Sequence, residues 1–287
     1  MIVVGGDNGK VCFDSGEVFS FDTKQWTPLS SPMSTPRDGA RCAMLGRHLV
    51  VCGGFGNGSY LKSCEALDVD TMAWHKIADM TTPRFSPACV AVSATRLVVA
   101  GGNDTQDTCL TSAEMYDMTT DTWTPLPPMS TPRTLCGCVL WQGCVVVIGG
   151  FTKVDGEWKQ LDSCEMYNPT TNTWSAFPSL TTVRNGVAAV VYNGKIHAIG
   201  GDALDTVEVY DGPKEQGTVL PATLNTSRWL HTACVVDGRL VVAGGCGDGD
   251  PLSTCVWYNE EEDRWELLPN MLEKREQACS ASFTPSA

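Results

Sequence analysis

A pair of adjacent glycines closes a short apolar run six times in this chain. The pairs are Gly5-Gly6, Gly53-Gly54, Gly101-Gly102, Gly149-Gly150, Gly200-Gly201 and Gly244-Gly245, with first glycines 48, 48, 48, 51 and 44 residues apart. Three further landmarks keep the same period. A Trp follows at Trp26, Trp74, Trp123, Trp174 and Trp265, and is missing only from the fifth copy, where Gly217 holds its place. Next comes a Met or Leu with an Arg four residues on: Met33/Arg37, Met80/Arg84, Met129/Arg133, Leu180/Arg184, Leu224/Arg228 and Met271/Arg275. Nine residues before each Trp position stands Glu17, Glu65, Glu114, Glu165 or Glu208, with Val256 in the sixth copy. Coincidence does not produce six copies of a four-landmark pattern.

Within each unit lie four short apolar or alternating runs, each closed by Gly, Asn, Asp or Pro, which is the pattern of an up-and-down antiparallel sheet. A period of about 50 residues with about four strands per unit marks a blade of a propeller. The sequence therefore predicts an all-β chain forming one six-bladed β-propeller over residues 1–287. The blades are placed at 37–83, 84–132, 133–183, 184–227 and 228–274, and the first is split between 1–36 and 276–284. The split follows from MIVVGG at the N-terminus, which corresponds to the second strand of a blade (LVVCGG, LVVAGG, VVVIGG). Glu276 to Phe283 matches the first strands elsewhere and is expected to complete that blade and close the ring. Starting inside a strand also suggests that a region lies upstream of Met1. Small residues on the first strands (Ala40, Ala88, Gly137, Ala188, Ala233, Ala278) suit convergence at an axis, and each Trp is expected on an outer strand, packed against the next blade. The fifth copy, without its Trp and with a short loop and the GPKEQGT turn (Gly212 to Thr218), is expected to be the weakest blade.

The order GG, E-x-[YFL]-[DNS], W, [ML]-x-x-x-R closely resembles the kelch repeat, and the resemblance covers essentially all 287 residues. Among kelch proteins, Pro128 to Arg133 (PMSTPR) and Ser163 to Trp174 (SCEMYNPTTNTW) look most like the substrate-binding domain of BTB-kelch ubiquitin-ligase adaptors. This resemblance implies a module that recognises a partner protein, with recruitment of a cullin-type ligase supplied by a BTB region absent from this chain. It leaves open a cytoskeletal scaffold that binds actin, and two enzymatic kelch folds, a copper oxidase and a sialic acid mutarotase.

Composition narrows the partner. The net charge of −13 and pI near 4.6 argue against nucleic acid, which is bound by clustered Lys and Arg, and against anionic membranes. No run reaches the roughly 18 apolar residues of a membrane-spanning helix. No signal peptide is evident, so the cytosol, with the nucleus as an alternative, is the expected compartment. Fourteen cysteines raise the question of disulfides. Those at repeat-equivalent positions (Cys42, Cys89, Cys138 and, one residue off, Cys234 and Cys279; Cys64, Cys164, Cys255) are expected to be far apart and to act as buried free thiols. His48, His75, His197 and His231 are scattered, no paired CxxC occurs, and neither a metal nor another cofactor is predicted.

By resemblance, the ligand face is the rim built by the loops after the Gly-Gly pairs and by the residues just after each Arg. Carried over position by position, the first row is Asp7, Phe55, Asn103, Phe151, Asp202 and Cys246, and the second is Asp38, Phe85, Thr134, Asn185, Trp229 and Glu276. Better-known faces of the family carry Arg, Ser, Tyr and Asn there, and the Phe, Asp and Trp of this chain count against a strongly acidic ligand. Phe55, Phe85, Phe151, Trp158 and Trp229 amid Asp104, Asp107, Asp155, Glu157, Asp205, Asp248 and Asp250 have the makeup of an interface for a basic or aromatic-rich segment. The alternative is that several of these aromatics pack beneath their own loops. The repeat Arg and Glu recur with the fold and are read as structural, the arginines bonding loop carbonyls or stacking on a ring. GGCGDGD (Gly244 to Asp250) is read as an ordinary blade loop, since no Lys or helix start follows it.

Overall fold

The computed structural model describes residues 1–287 apart from 107, 203, 213–216 and 284–287. Asp107 and most of the GPKEQGT turn thus lie outside the described residues. Among those described there is no helix, and six four-stranded antiparallel sheets form the six blades. The fourth is representative: Gly137–Trp141, Cys144–Ile148, Cys164–Asn168 and Thr173–Phe177 pair in that order from the axis outward. In the first blade the inner strand is Cys279–Ala281, which pairs with Ile2–Val4 in the register Ile2 to Ala281 and Val4 to Cys279. Both ends of the chain thus share one sheet, and the ring closes as expected.

Second strands such as His48–Cys52 and Arg239–Ala243 are buried along nearly their whole length, because both faces of each blade are covered. Six apolar clusters lie one between each pair of neighbouring blades, so the core is a ring of interfaces. The inner strands touch in a circle around a central channel of about 400 Å³.

The Trp residues do sit on outer strands, but they pack against the preceding blade and not the next. Trp26 Nε1 donates to Pro269 O at 2.9 Å, Trp74 to Ser31 O at 3.1 Å, Trp123 to Ala78 O at 2.9 Å and Trp174 to Pro127 O at 2.8 Å. Trp26, Trp123 and Trp174 also meet an aromatic of their own blade, as in Tyr116–Trp123 (5.2 Å between centroids) and Tyr167–Trp174 (5.3 Å). The fifth blade repairs its missing Trp from its neighbour. Phe177 and Trp141 of the fourth blade fill the gap, with Phe177 5.8 Å from Tyr210 and Trp141 Nε1 donating to Gly194 O at 3.0 Å.

The repeat arginines are structural, and all six are at most 2% exposed. Arg84 Nη1 donates to Gly101 O and Ser112 O, both at 2.8 Å, and Nη2 donates to Ser112 Oγ and Glu114 Oε1, both at 2.9 Å. The second carboxylate oxygen of Glu114 accepts the Thr81 N–H at 2.9 Å. The segment between two blades is thereby clamped to the blade that follows. Equivalent pairs are Arg37–Glu65, Arg133–Glu165 and, across the ring closure, Arg275–Glu17. Arg275 also stacks on Phe13, 4.6 Å from the ring centroid. The clamp is looser in the fifth blade, where Arg184 and Glu208 are 3.9 Å apart. In the sixth blade Val256 replaces the Glu, and Arg228 is held by Gly244 O, Thr254 O and Thr254 Oγ1. The Gly-Gly pair serves the same junction. Gly53 and Gly54 have φ of 64° and 94°, and a Cβ on them would lie 2.4 Å from Arg84 O and 2.6 Å from Asp38 O, so only glycine fits.

All fourteen cysteines are free, but their expected separation does not hold at the axis. Cys42, Cys89, Cys138, Cys234 and Cys279 all line the channel, where the Cys42 and Cys279 thiols are near enough to interact. Equivalent positions on inner strands are close because the blades converge there. The contact with Cys279 and then burial push the Cys42 thiol up, and burial pushes up Cys138 and Cys234, the latter to about 11, which keeps these three protonated and unreactive.

Candidate functional site

In each antiparallel blade, the reversals between first and second strands and between third and fourth strands fall on one face. The loops after the Gly-Gly pairs and the inter-blade segments therefore share the other. The two rows read from the sequence meet residue against residue on that face. Asp7 bridges Glu276, Asp38 bridges Phe55, Phe85 bridges Asn103, Thr134 bridges Phe151 and Trp229 bridges Cys246. Asp202 N donates to Asn185 O at 3.0 Å.

Just inside these pairs, one residue from each blade closes a girdle of backbone hydrogen bonds around the channel mouth. Ser86 N donates to Gly39 O, Leu135 N to Ser86 O, Gly186 N to Leu135 O, Leu230 N to Gly186 O, Gln277 N to Leu230 O and Gly39 N to Gln277 O, at 2.8 to 3.1 Å. All six have positive φ, between 48° and 61°. Four are not glycine, and such conformations persist only where surrounding contacts impose them. The girdle fixes the spacing of the six residues that precede it, which form the second row.

Seven of the thirteen sequence-predicted residues surround one pocket of about 370 Å³ over this mouth: Phe85, Asn103, Thr134, Phe151, Trp158, Asn185 and Trp229. Leu135, which the sequence reading missed, also lines it. The aromatics come from three blades. Phe151 and Trp158 meet edge to face at 5.5 Å, and Phe85 stacks on Tyr60 at 5.4 Å. Gly39 makes room for Phe85, since a Cβ there would lie 2.3 Å from its ring. Thr134 Oγ1 donates to Phe85 O at 3.2 Å or Ser86 O at 3.3 Å.

The other six residues lie outside the pocket. Phe55 packs beneath its own hairpin against Tyr60, at 5.7 Å, Cys246 is buried, and the carboxylate of Asp202 accepts from Gln160 Nε2. Asp7, Asp38 and Glu276 form an acidic group beside it. Burial and then the Asp7 charge raise Asp38 to about 6, and burial raises Asp7 and Glu276 as well. This group adjoins the pocket on two sides: Asp38 precedes the Gly39 on which Phe85 rests, and Glu276 interacts with Cys246, whose backbone pairs with Trp229.

Sequence reading also missed three small hairpins that rise from the rim on alternate blades: Phe55–Gly56 with Ser59–Tyr60, Phe151–Val154 with Glu157–Gln160, and Cys246–Gly247 with Asp250–Pro251. Their turns are Asn57-Gly58, Asp155-Gly156 and Asp248-Gly249, with φ from 50° to 85° at both positions. Asn-Gly and Asp-Gly are the strongest short-range hairpin signals, so these were legible in the sequence. Asp155 and Asp248 serve those turns, and Asp104 Oδ1 accepts the N–H groups of Gln106 and Thr108 within its own loop.

Such a ring of four-stranded blades, with Gly-Gly, Glu, Trp and Arg at fixed places, defines a repeat propeller. The KLHDC2/KLHL20/DRC7 Kelch-repeats domain matches residues 1–150, and the Kelch motif matches residues 132–181 and 230–272. The chain belongs to the kelch-repeat family. It is 32% identical over 265 residues to Kelch-like protein 7 of Rattus norvegicus, covering 91% of this chain and 44% of that protein. It is 29% identical over 135 residues to Kelch-like protein 23 of Pongo abelii (44% and 23%), and 34% over 124 residues to Kelch domain-containing protein 7A of Mus musculus (43% and 15%). The chain thus spans less than half the length of each of these relatives.

Proposed function

We propose that this propeller is a non-enzymatic protein-interaction module that captures a segment of a partner on the rim over the channel mouth. The observation that carries this reading is the 370 Å³ pocket walled by aromatics of three blades, with Asp7, Asp38 and Glu276 at its edge. Aromatic anchors around a concave apolar site dominate binding energy at protein interfaces. The repeat carboxylates Glu17, Glu65, Glu114 and Glu165 are engaged with arginine clamps, which favours recognition over acid/base chemistry. The likeness to Kelch-like proteins, all longer than this chain, supports the substrate-recognition part of a cullin-type ubiquitin-ligase adaptor, with ligase recruitment residing outside residues 1–287. A cytoskeletal role differs only in the partner captured.

The test is affinity capture from native cytosol with the wild type and with a folded Phe85→Ala/Phe151→Ala/Trp229→Ala variant. Each true anchor is expected to be worth about 2 kcal/mol or more, so the partner is lost from the variant. Equal capture by both proteins would refute the rim assignment. The partner's identity separates adaptor from scaffold.

A further inference from the structure

One polar group in the pocket has no partner. Asn185 is 1% exposed, and neither its amide nitrogen nor its amide oxygen makes a hydrogen bond within the described protein. Its backbone is pinned by the bond from Asp202 N to Asn185 O, and Gly186, which follows it, belongs to the girdle. Thr134, beside it in the pocket, is by contrast satisfied by backbone carbonyls. Buried polar groups are nearly always paired, and an exception calls for an explanation. An open donor and an open acceptor on one rigid amide match the N–H and C=O of a single residue in an extended chain, which point to the same side.

The walls around that amide are Phe85, Phe151, Trp158 and Trp229, and the volume of about 370 Å³ suits one large side chain. The carboxyls of Asp7, Asp38 and Glu276 flank it, in a chain whose net charge is −13. We propose that the occupant is an extended segment of a partner protein that places one bulky apolar or aromatic side chain in the pocket, pairs that residue's main-chain amide and carbonyl with Asn185, and carries a Lys or Arg against the flanking carboxyls. This rests on the rim-capture reading and gives it a ligand chemistry. Asn185 supplies the main-chain contact, the aromatic walls select size, and the acidic flank selects charge and orientation.

The probe is a random dodecapeptide library displayed on phage, selected on the full chain and counter-selected on Trp229→Ala. Selected peptides are then synthesised, each also with N-methylation of its bulky residue, and their affinities measured. The expected consensus is a bulky apolar residue near Lys or Arg. Asn185→Ala should weaken binding about tenfold while leaving the unfolding midpoint in place, because no hydrogen bond of the free protein is lost. N-methylation should weaken binding to wild type similarly and to Asn185→Ala hardly at all. Peptides that need Trp229 but are acidic, lack a bulky residue or ignore Asn185→Ala would overturn the inference and leave rim capture standing. A selection that yields no Trp229-dependent peptide would overturn both.

Discussion

Replacing Glu114 by Val tests whether the arginine clamps hold the blades together. Arg84 is fully buried and Glu114 is 2% exposed. The guanidinium places Nε 3.2 Å and Nη2 2.9 Å from Glu114 Oε1, and burial already lowers its pKa against the opposing pull of Glu114. Removing the carboxylate leaves a buried cation facing only carbonyls and a hydroxyl, and orphans the Thr81 N–H. Breaking a buried pair from one side costs about 3–5 kcal/mol. The lower end is expected, because the sixth blade shows Arg228 held by carbonyls and a hydroxyl opposite Val256. With an unfolding entropy of about 2.1 cal/mol/K per residue, this corresponds to a fall of about 5–8 °C in the midpoint, readable by calorimetry. A cycle with Arg84→Met should return a coupling of about 1–3 kcal/mol. A midpoint lowered by less than about 2 °C would refute the argument, since the carbonyls would then suffice for every clamp.

Further outcomes follow from the rim and the fifth blade. Asp38 is raised to about 6, so the folded state holds its proton more tightly than the unfolded chain does. Its contribution is present below about pH 4 and lost as pH rises toward 6, and Asp38→Asn should flatten that part of the midpoint-versus-pH curve; parallel curves would refute this. A Lys-containing peptide should bind more tightly as pH rises through about 6, while Asp38 loses its proton beside Asp7 and Glu276, and an unchanged affinity would sink the acidic-flank assignment. Gly39→Ala, with φ of 60° and a Cβ 2.3 Å from Phe85, should displace Phe85 from Tyr60, lower the midpoint and weaken rim binding together; unaltered stability and binding would show the ring has room to move. In native-state hydrogen exchange the fifth blade, whose outer strand is only the exposed Thr218–Val219, should be the least protected, and uniform protection would contradict that.

The blade count, strand order and ring closure were legible because each landmark repeats, and repetition separates fold from accident. The same logic identified the arginines as structural, since a residue present in all six units serves all six. What repeats does not fix is the side to which a side chain turns. Trp74 and its counterparts therefore pack on the preceding blade, a choice invisible in spacing. The cysteines were misjudged for a related reason: Cys42 and Cys279 stand one residue apart in the repeat register of neighbouring blades, and only the radius at which a strand runs decides whether such positions are close. At the rim, residue positions were readable but their grouping was not. Phe55 and Phe151 are equivalent in sequence, yet Phe55 lies under Tyr60 while Phe151 lines the pocket. Leu135 was missed because it stands one place past the predicted row, in the girdle whose left-handed backbone no residue type announces.

The central claim is that partners dock over the channel mouth on the Gly-Gly face, and a hydrogen-exchange footprint of a captured partner on the full chain tests it most directly. The account predicts slowed exchange at residues 85–86, 134–135, 151–160, 185–186 and 229–230, with no change in the turns of the opposite face at 21–24, 70–72, 118–121, 169–172 and 260–263. Protection of those opposite turns, with exchange at the mouth unchanged, would contradict it.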